Sequence, residues 1–268
     1  MKPKRFKYIY LLLCVALCIT TISRGYYLKH HTNEGNPFSR AINTIIPEAI
    51  PGINHVIDDS LSDLEETKKM ERTIERFMAQ WEIKGASLAI MKNGKLLYSK
   101  GFGIADSAKG TPVNVSNIFR IASLSKLITA TGIMKLWEEK KLSLDQPVFG
   151  EKGILNDSAF LGIKDPRIRE ITVEHLLRHQ GGYSIRAGDP LFCTPSVAQS
   201  MQTPLPLSAD DMVRFAASTR LRFRPGEGNA YSNLGYVVLG KVIEKVSGMP
   251  YETFIRDSIL IPIGCFDM

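Results

Sequence analysis

The chain has 268 residues, 44% hydrophobic and 23% charged, close to the globular average. That balance excludes a disordered chain, a collagen-like repeat and a polytopic membrane protein, and the length is ample to bury a core. Four cysteines exclude a disulfide scaffold. The net charge of +7 overstates the basic character of the body, because Lys2, Lys4, Arg5, Lys7 and Arg24 lie in a stretch without an acid and the remainder carries only +2. A nucleic-acid binder carries its excess on a face of the folded domain, so no nucleic-acid partner is expected.

Residues 2–7 form a positive segment, and residues 8–22 follow as an uncharged, mostly apolar run of 15. This is the layout of an export signal. The run is shorter than the roughly 20 apolar residues of a spanning helix. Lys7 can snorkel, so a cleaved signal and a short anchor both stay open. Ala16-Leu17-Cys18 is the best cleavage site, and Val15-Ala16-Leu17-Cys18 only faintly matches a lipoprotein box, since Leu17 is bulky. Residues 1–23 are therefore read as a signal peptide or membrane anchor. The protein is expected in the periplasm or on the outer face of the cytoplasmic membrane, with the membrane a partner through this segment. Cys193 and Cys265 remain in the body, as a pair that an oxidising compartment permits or as two free thiols.

Residues 24–58 read as a linker, with Gly25, Gly35, Pro37, Pro47, Pro51 and Gly52 and no sustained periodicity. The domain then runs over 59–268. A helix is predicted over 60–81, opened by the capping box Ser62-Asp63-Leu64-Glu65. Leu64, Met70, Ile74, Phe77, Met78 and Trp81 recur along it at helical spacing. A hairpin follows, with strands over 86–91 and 95–100 joined by Asn93-Gly94, residues that tolerate the positive φ of a type I′ turn. Gly101 and Gly103 are expected to end the second strand. A helix is predicted over 123–141, with Leu124, Leu127, Ile128, Met134 and Trp137 as its apolar side and Gly132 as a mild weakness. Another starts at the N-cap Thr172 and stops at Gly181-Gly182. Residues 183–207 read as loop, with four prolines. Short helices are expected from Ser208, over 233–246 and from Tyr251. Two strands make a poor sheet without partners or a covering helix.

Ser123-Leu124-Ser125-Lys126 is the only S-x-x-K in the chain. Positions i and i+3 share a helix face, which sets Lys126 beside the Ser123 hydroxyl. A serine is a weak nucleophile until a base takes its proton, and a helix N-terminus favours the developing negative charge. The spacing arises by chance about once per 250 residues, so alone it reads as a capping Ser and a surface Lys. Tyr231-Ser232-Asn233 is the only Y-x-N. A phenol near an ammonium can relay protons, and an amide offers both a donor and an acceptor. His175 and His179, four apart on one predicted helix, lack a third ligand and a zinc-protease glutamate, so no metal is expected. His30-His31 falls in the linker. No Gly-rich phosphate loop is present, and no cofactor is implied.

Taken with its flanks, Phe119-Arg120-Ile121-Ala122-Ser123-Leu124-Ser125-Lys126 resembles the active-site motif of the penicillin-recognising serine hydrolases. The closer match is the branch of class C β-lactamases, D-alanyl-D-alanine carboxypeptidases and related esterases. Gly85-Ala86-Ser87-Leu88-Ala89-Ile90, Leu142-Ser143-Leu144-Asp145-Gln146-Pro147-Val148, and Ile171-Thr172-Val173-Glu174-His175-Leu176-Leu177-Arg178-His179 resemble further stretches of that branch. So do Phe223-x-Pro225-Gly226, Tyr231-Ser232-Asn233-x-Gly235-Tyr236, Ser247-Gly248-Met249-x-Tyr251 and Pro262-Ile263-Gly264, all in the family's order. The likeness covers about residues 62 to 268.

The resemblance implies an α/β fold of the α+β type, an antiparallel sheet flanked by helices with a helical subdomain. It makes Ser123 the acylated nucleophile, Lys126 the group that helps deprotonate it, Tyr231 the proton relay, and Asn233 the residue that orients substrate and Lys126. The partner would be a small-molecule or peptide substrate: a β-lactam, a D-alanyl peptide or a small ester. The family's third motif, Lys-Thr-Gly or His-x-Gly on a later strand, is not found after Asn233. The C-terminal sheet strands are therefore expected to be missing, and the 268-residue chain is expected to fold poorly and turn over substrate weakly. A membrane-tethered, non-catalytic binding or sensing domain is the alternative.

Overall fold

The structure is a computed structural model and describes residues 65–93, 95–185 and 188–266. The expected signal or anchor, the linker, and the capping box before Glu65 lie outside the described residues. The chain divides into two compact units that meet between Val115 and Ser116.

The first unit is a helix on a small sheet. Helix α1 spans Lys68–Gln80 after a 3-10 turn. Strands β1 (Gly85–Lys92), β2 (Lys95–Asp106) and β3 (Thr111–Pro112) form an antiparallel sheet in that order. Lys92 pairs with Lys95, leaving a two-residue turn, and Asn93 takes φ 51° as such a turn requires. The period of two places Ala86, Leu88 and Ile90 on one face of β1. There they meet Met70, Ile74 and Met78 of α1, and Tyr98 and Phe102 of β2. Phe77 and Trp81 lie on the exposed side of α1, 54% and 42% accessible, rather than in this core. Strand β2 does not end at the two glycines but runs through them. A Cβ on Gly101 would lie 2.3 Å from the Val113 carbonyl oxygen, so this glycine admits a neighbouring chain.

The second unit is helical. It comprises α2 (Ser125–Glu138), α3 (Val173–Leu177), α4 (Thr194–Met201), α5 (Ala209–Ser218), α6 (Asn233–Ser247) and α7 (Tyr251–Ile255). Helix α6 is its axis. Leu234, Val238 and Val242 make one buried stripe and Gly235, Leu239 and Ile243 the next, the i, i+4 pattern of a helix covered on a wide face. Met212, Val213, Ala216 and Ala217 of α5 and Ile133 and Leu136 of α2 join the same core.

Helix α2 reverses one expectation. Its buried face is Thr129, Gly132, Ile133 and Leu136, whereas Leu124, Leu127 and Trp137 are exposed. Apolar residues ring this helix, so periodicity alone picks no face. Gly132 is a contact point, since a Cβ there would lie 3.1 Å from both Ile243 and Ile255. Helix α3 is shorter than expected and ends at Leu177. Helix α4 falls inside the expected loop, because Pro195 at its first turn removes no needed hydrogen bond. Cys193 and Cys265 are both free thiols. Among the described residues no helix is long and apolar enough to cross a membrane.

Candidate active site

The site is assembled entirely within the helical unit. Ser123 sits in a 3-10 turn, Ala122–Leu124, that runs straight into α2. Ala122 before it takes φ 46°, a left-handed conformation that costs a non-glycine residue about 1–3 kcal/mol. The turn leaves Ser123 exposed while Lys126, one turn on, is half-buried. Lys126 Nζ donates to Ser123 Oγ at 3.4 Å.

The second strip of the site comes from the start of α6, delivered by a loop stitched to the segment after α3. The amides of Arg222, Gly226 and Ala230 donate to the carbonyls of Gly182, Gln180 and His179. Asn229 Nδ2 donates to the Arg178 carbonyl at 2.8 Å. Gly182 is required here, with φ 85° and with the Phe223 carbonyl oxygen only 2.4 Å from where a Cβ would stand. Buried Asp165 anchors the near end of the loop. It accepts from the Leu221 amide at 3.0 Å and pairs with Arg167, which holds its carboxyl well below the usual range. Ser232 caps α6 by accepting from the Gly235 amide.

These constraints bring Tyr231 Oη within 2.7 Å of Ser123 Oγ. Asn233 Oδ1 accepts from Lys126 Nζ at 2.5 Å. The ammonium also stands 4.8 Å from the Tyr231 ring centre and 5.7 Å from that of Tyr236, inside cation–π range. The four residues named from the sequence thus form one contiguous hydrogen-bonded set around the Ser123 hydroxyl. A cavity of 310 Å³ adjoins Lys126 and Asn233, walled by Leu191, Tyr236 and Tyr251 among others.

Two further residues join them. His179 does not share a helix with His175, since α3 has already ended and His179 has φ 57°. Its Nδ1 accepts from the Ser232 amide at 3.2 Å, which puts the ring proton on Nε2. The ring lies 4.7 Å from Tyr231 and 5.2 Å from Tyr236. Burial, aided by the Lys126 charge, pushes its pKa down to about 4, so it is neutral at pH 7. Burial likewise pushes Tyr236 up to about 12, and its hydroxyl donates to the Leu177 carbonyl. His175 instead accepts from the Thr172 amide, closing the cap of α3. The two imidazoles thus serve two different backbone amides, and among the described residues no group of His, Cys, Asp and Glu is placed to hold a metal ion. The second new residue is Asp189, whose Oδ2 accepts from Asn233 Nδ2 at 2.8 Å. It lies in the proline-rich segment before α4, where nothing in the local sequence marks it.

Chemically the arrangement is a hydroxyl with an ammonium and a phenol both in hydrogen-bond contact, at the positive end of a 14-residue helix. With the phenol deprotonated beside the ammonium, such a set can take the Oγ proton and pass it to a leaving group.

The fold has counterparts in known proteins. A family model described as Beta-lactamase matches residues 70–268. Penicillin-binding protein 4* of Bacillus subtilis is 32% identical over 201 residues, 74% of this chain and 40% of its own length. Esterase EstB of Burkholderia gladioli is 26% identical over 207 residues, 74% of this chain and 50% of its own. The octameric penicillin-binding protein homologue from Pyrococcus abyssi superposes with a TM-score of 0.60 at 36% identity, over 73% of this chain and 42% of that one. D-alanine carboxypeptidase AmpC from Burkholderia cenocepacia gives 0.56 at 25% identity, over 72% and 46%. The chain spans half or less of the length of these curated relatives. With the family model running from α1 through the Ser123 turn to the last helix, the chain belongs to the beta-lactamase family.

Proposed function

We propose that this chain carries the acyl-transfer centre of an exported serine hydrolase that acts on an amide or ester through an acyl-enzyme at Ser123. The observation that carries the reading is the double contact on Ser123 Oγ, with Tyr231 Oη at 2.7 Å and Lys126 Nζ at 3.4 Å. Tyr231 Oη, acting as the phenolate beside the Lys126 ammonium, takes the Oγ proton as Oγ bonds to the carbonyl carbon of the substrate. Tyr231 Oη then delivers a proton to the leaving nitrogen or oxygen as its bond to carbon breaks. Water attacks the acyl-serine with the same groups as base, and Ser123 regains its proton. Relatives named as an esterase, a penicillin-binding protein and a D-alanine carboxypeptidase support three substrate types: a small ester, a β-lactam and a D-alanyl peptide. The basic and apolar residues at 2–22 support export, with this segment cleaved or kept as an anchor.

The test is intact mass of the 268-residue chain after exposure to a penicillin and to an activated ester, with Ser123→Ala as control. A stoichiometric adduct absent from the control is expected, and its rate of decay separates a hydrolase from a slow acyl-binder. Equal masses for both proteins would overturn the acyl-enzyme reading and favour a binding or sensing domain. The mass of protein recovered from the cell envelope reads out whether residues 1–23 are retained.

A further inference from the structure

The side-chain amide of Asn233 is held between a cation and an anion. Its Oδ1 accepts from Lys126 Nζ, and one of its two Nδ2–H groups donates to Asp189 Oδ2 at 2.8 Å. The other carboxylate oxygen of Asp189 accepts from the Leu191 amide at 2.9 Å, so its own orientation is fixed by backbone. The two ends of an asparagine amide differ little in size, and only hydrogen-bond partners decide which end points where. An ammonium is donor-only and demands Oδ1. An ionised carboxylate is acceptor-only and demands Nδ2. Among the described residues no carboxylate forms an ion pair with Lys126, so the charge of Asp189 is relayed to the lysine through this amide.

We propose that Asp189 is a positioning residue of the Ser123 centre: it locks the Asn233 amide with Oδ1 toward Lys126, and the locked amide holds Nζ within reach of Ser123 Oγ. The proposal rests on Ser123 being the nucleophile for its consequence in catalysis, but the lock itself is a matter of hydrogen-bond polarity. Asp189→Asn tests that polarity. The new side chain has one carbonyl oxygen for two donors, the Leu191 amide and Asn233. If the carbonyl stays with Leu191, an amino group faces Nδ2 and forces the Asn233 amide over, setting N–H against the ammonium. Asn233→Asp alone places two carboxylates face to face. Combining Asp189→Asn with Asn233→Asp restores the alternation. The amino group at 189 donates to one oxygen at 233, Lys126 donates to the other, and the net charge equals that of the original pair.

The experiment measures acetylation of Ser123 in the full chain by a p-nitrophenyl ester, for wild type, both single variants, the double variant and Ser123→Ala. The ¹⁵N-edited spectrum of the Asn233 side-chain amide is recorded in parallel for wild type and Asp189→Asn. Each single change is expected to slow labelling about 10- to 100-fold, the scale of a misplaced catalytic group. The double variant is expected to be labelled faster than either single variant, a coupling that two independent losses do not produce. One Asn233 amide proton should be shifted downfield and slow to exchange in wild type and not in Asp189→Asn. A double variant no faster than the singles, or an amide signal unchanged by Asp189→Asn, overturns the proposal. If wild type is labelled no faster than Ser123→Ala, the nucleophile reading fails instead, and the amide signal alone decides the lock.

Discussion

The two units bury themselves in different ways. In residues 65–115 only Met78, Tyr98 and Phe102 form the fully buried apolar cluster, whereas the helical unit buries a contiguous core that takes in α2, α3, α5, α6 and α7. The small core is supplemented by polar bonds. Tyr98 donates to buried Glu71 at 3.1 Å and Lys100 pairs with the same carboxylate at 3.1 Å. Burial pushes the Glu71 carboxyl up, but Lys100, Thr67 and Tyr98 outweigh it and hold it below its usual value. The helical unit instead spends its polar bonds on placing residues 179–182 against 222–233. A site that needs ångström precision therefore stands on the unit with the larger apolar core, where rotamers are locked by packing.

The sharpest separation of the two is catalytic. Lys126→Ala should cut the rate of Ser123 acylation about 10³-fold, the weight of a positioned group in proton transfer. It should leave thermal unfolding nearly unchanged, because the lysine is half-buried and lies outside the apolar core cluster. Intact-mass kinetics beside a melting curve would check it, and a variant that melts early would mean that the ammonium is structural.

Core deletions should rank the units by burial. Leu239→Ala empties a fully buried position and should cost about 3 kcal/mol. Tyr98→Phe removes the buried hydrogen bond to Glu71 and should cost about 1 kcal/mol. The chain has two tryptophans, Trp81 in α1 and Trp137 in α2, so fluorescence during urea unfolding of single-tryptophan variants follows each unit. If Tyr98→Phe proved the costlier change, the contrast drawn between apolar and polar stabilisation would fail.

Acid should weaken the helical unit through His179. Its folded pKa, about 4, lies below the unfolded value of about 6.5. Between those values the unfolded chain binds the extra proton, so stability is complete above pH 6.5 and is lost as pH falls toward 4. With a part-exposed ring the loss should reach about 1–2 kcal/mol after solvent screening. Urea unfolding followed at Trp137 at pH 7 and pH 5 checks it. The difference should shrink in His179→Gln, and an equal difference in both proteins would assign the acid sensitivity to other groups.

How much of this was legible in the sequence follows from distance along the chain. Ser123 with Lys126, and Tyr231 with Asn233, are local spacings, and a turn of helix suffices to pair them. The bond between the two motifs spans 108 residues, and only the family resemblance anticipated it. Spacing alone puts His179 on the helix of His175, because the chain leaves α3 at Leu177 without a glycine at that position to mark the exit. Asp189 gave no signal, since its role depends on which end of a distant amide it meets. The hairpin was legible through Asn93-Gly94 and the alternation of β1. Strand β3, two residues long, was not, nor was α4 behind its prolines. The buried face of α2 is not legible from periodicity because its apolar residues surround the helix, so burial there is decided by α6 and α7.

The smallest expected effect concerns the turn that presents the nucleophile. Ala122 has φ 46°, so Ala122→Gly removes a left-handed strain of about 1 kcal/mol. It also adds freedom to the unfolded chain worth about 0.4–1 kcal/mol. The two terms oppose each other with the strain the larger, and stability should rise by up to about 1 kcal/mol. The rate is the more telling quantity. If the strained alanine stiffens the Ala122–Leu124 turn, glycine lets Ser123 Oγ wander from Tyr231 and Lys126, and acylation should slow a few-fold without loss of stability. If the rate instead rises or holds, the positive φ is a tolerated consequence of joining the turn to α2, and the rigidity that matters resides in the core around α6.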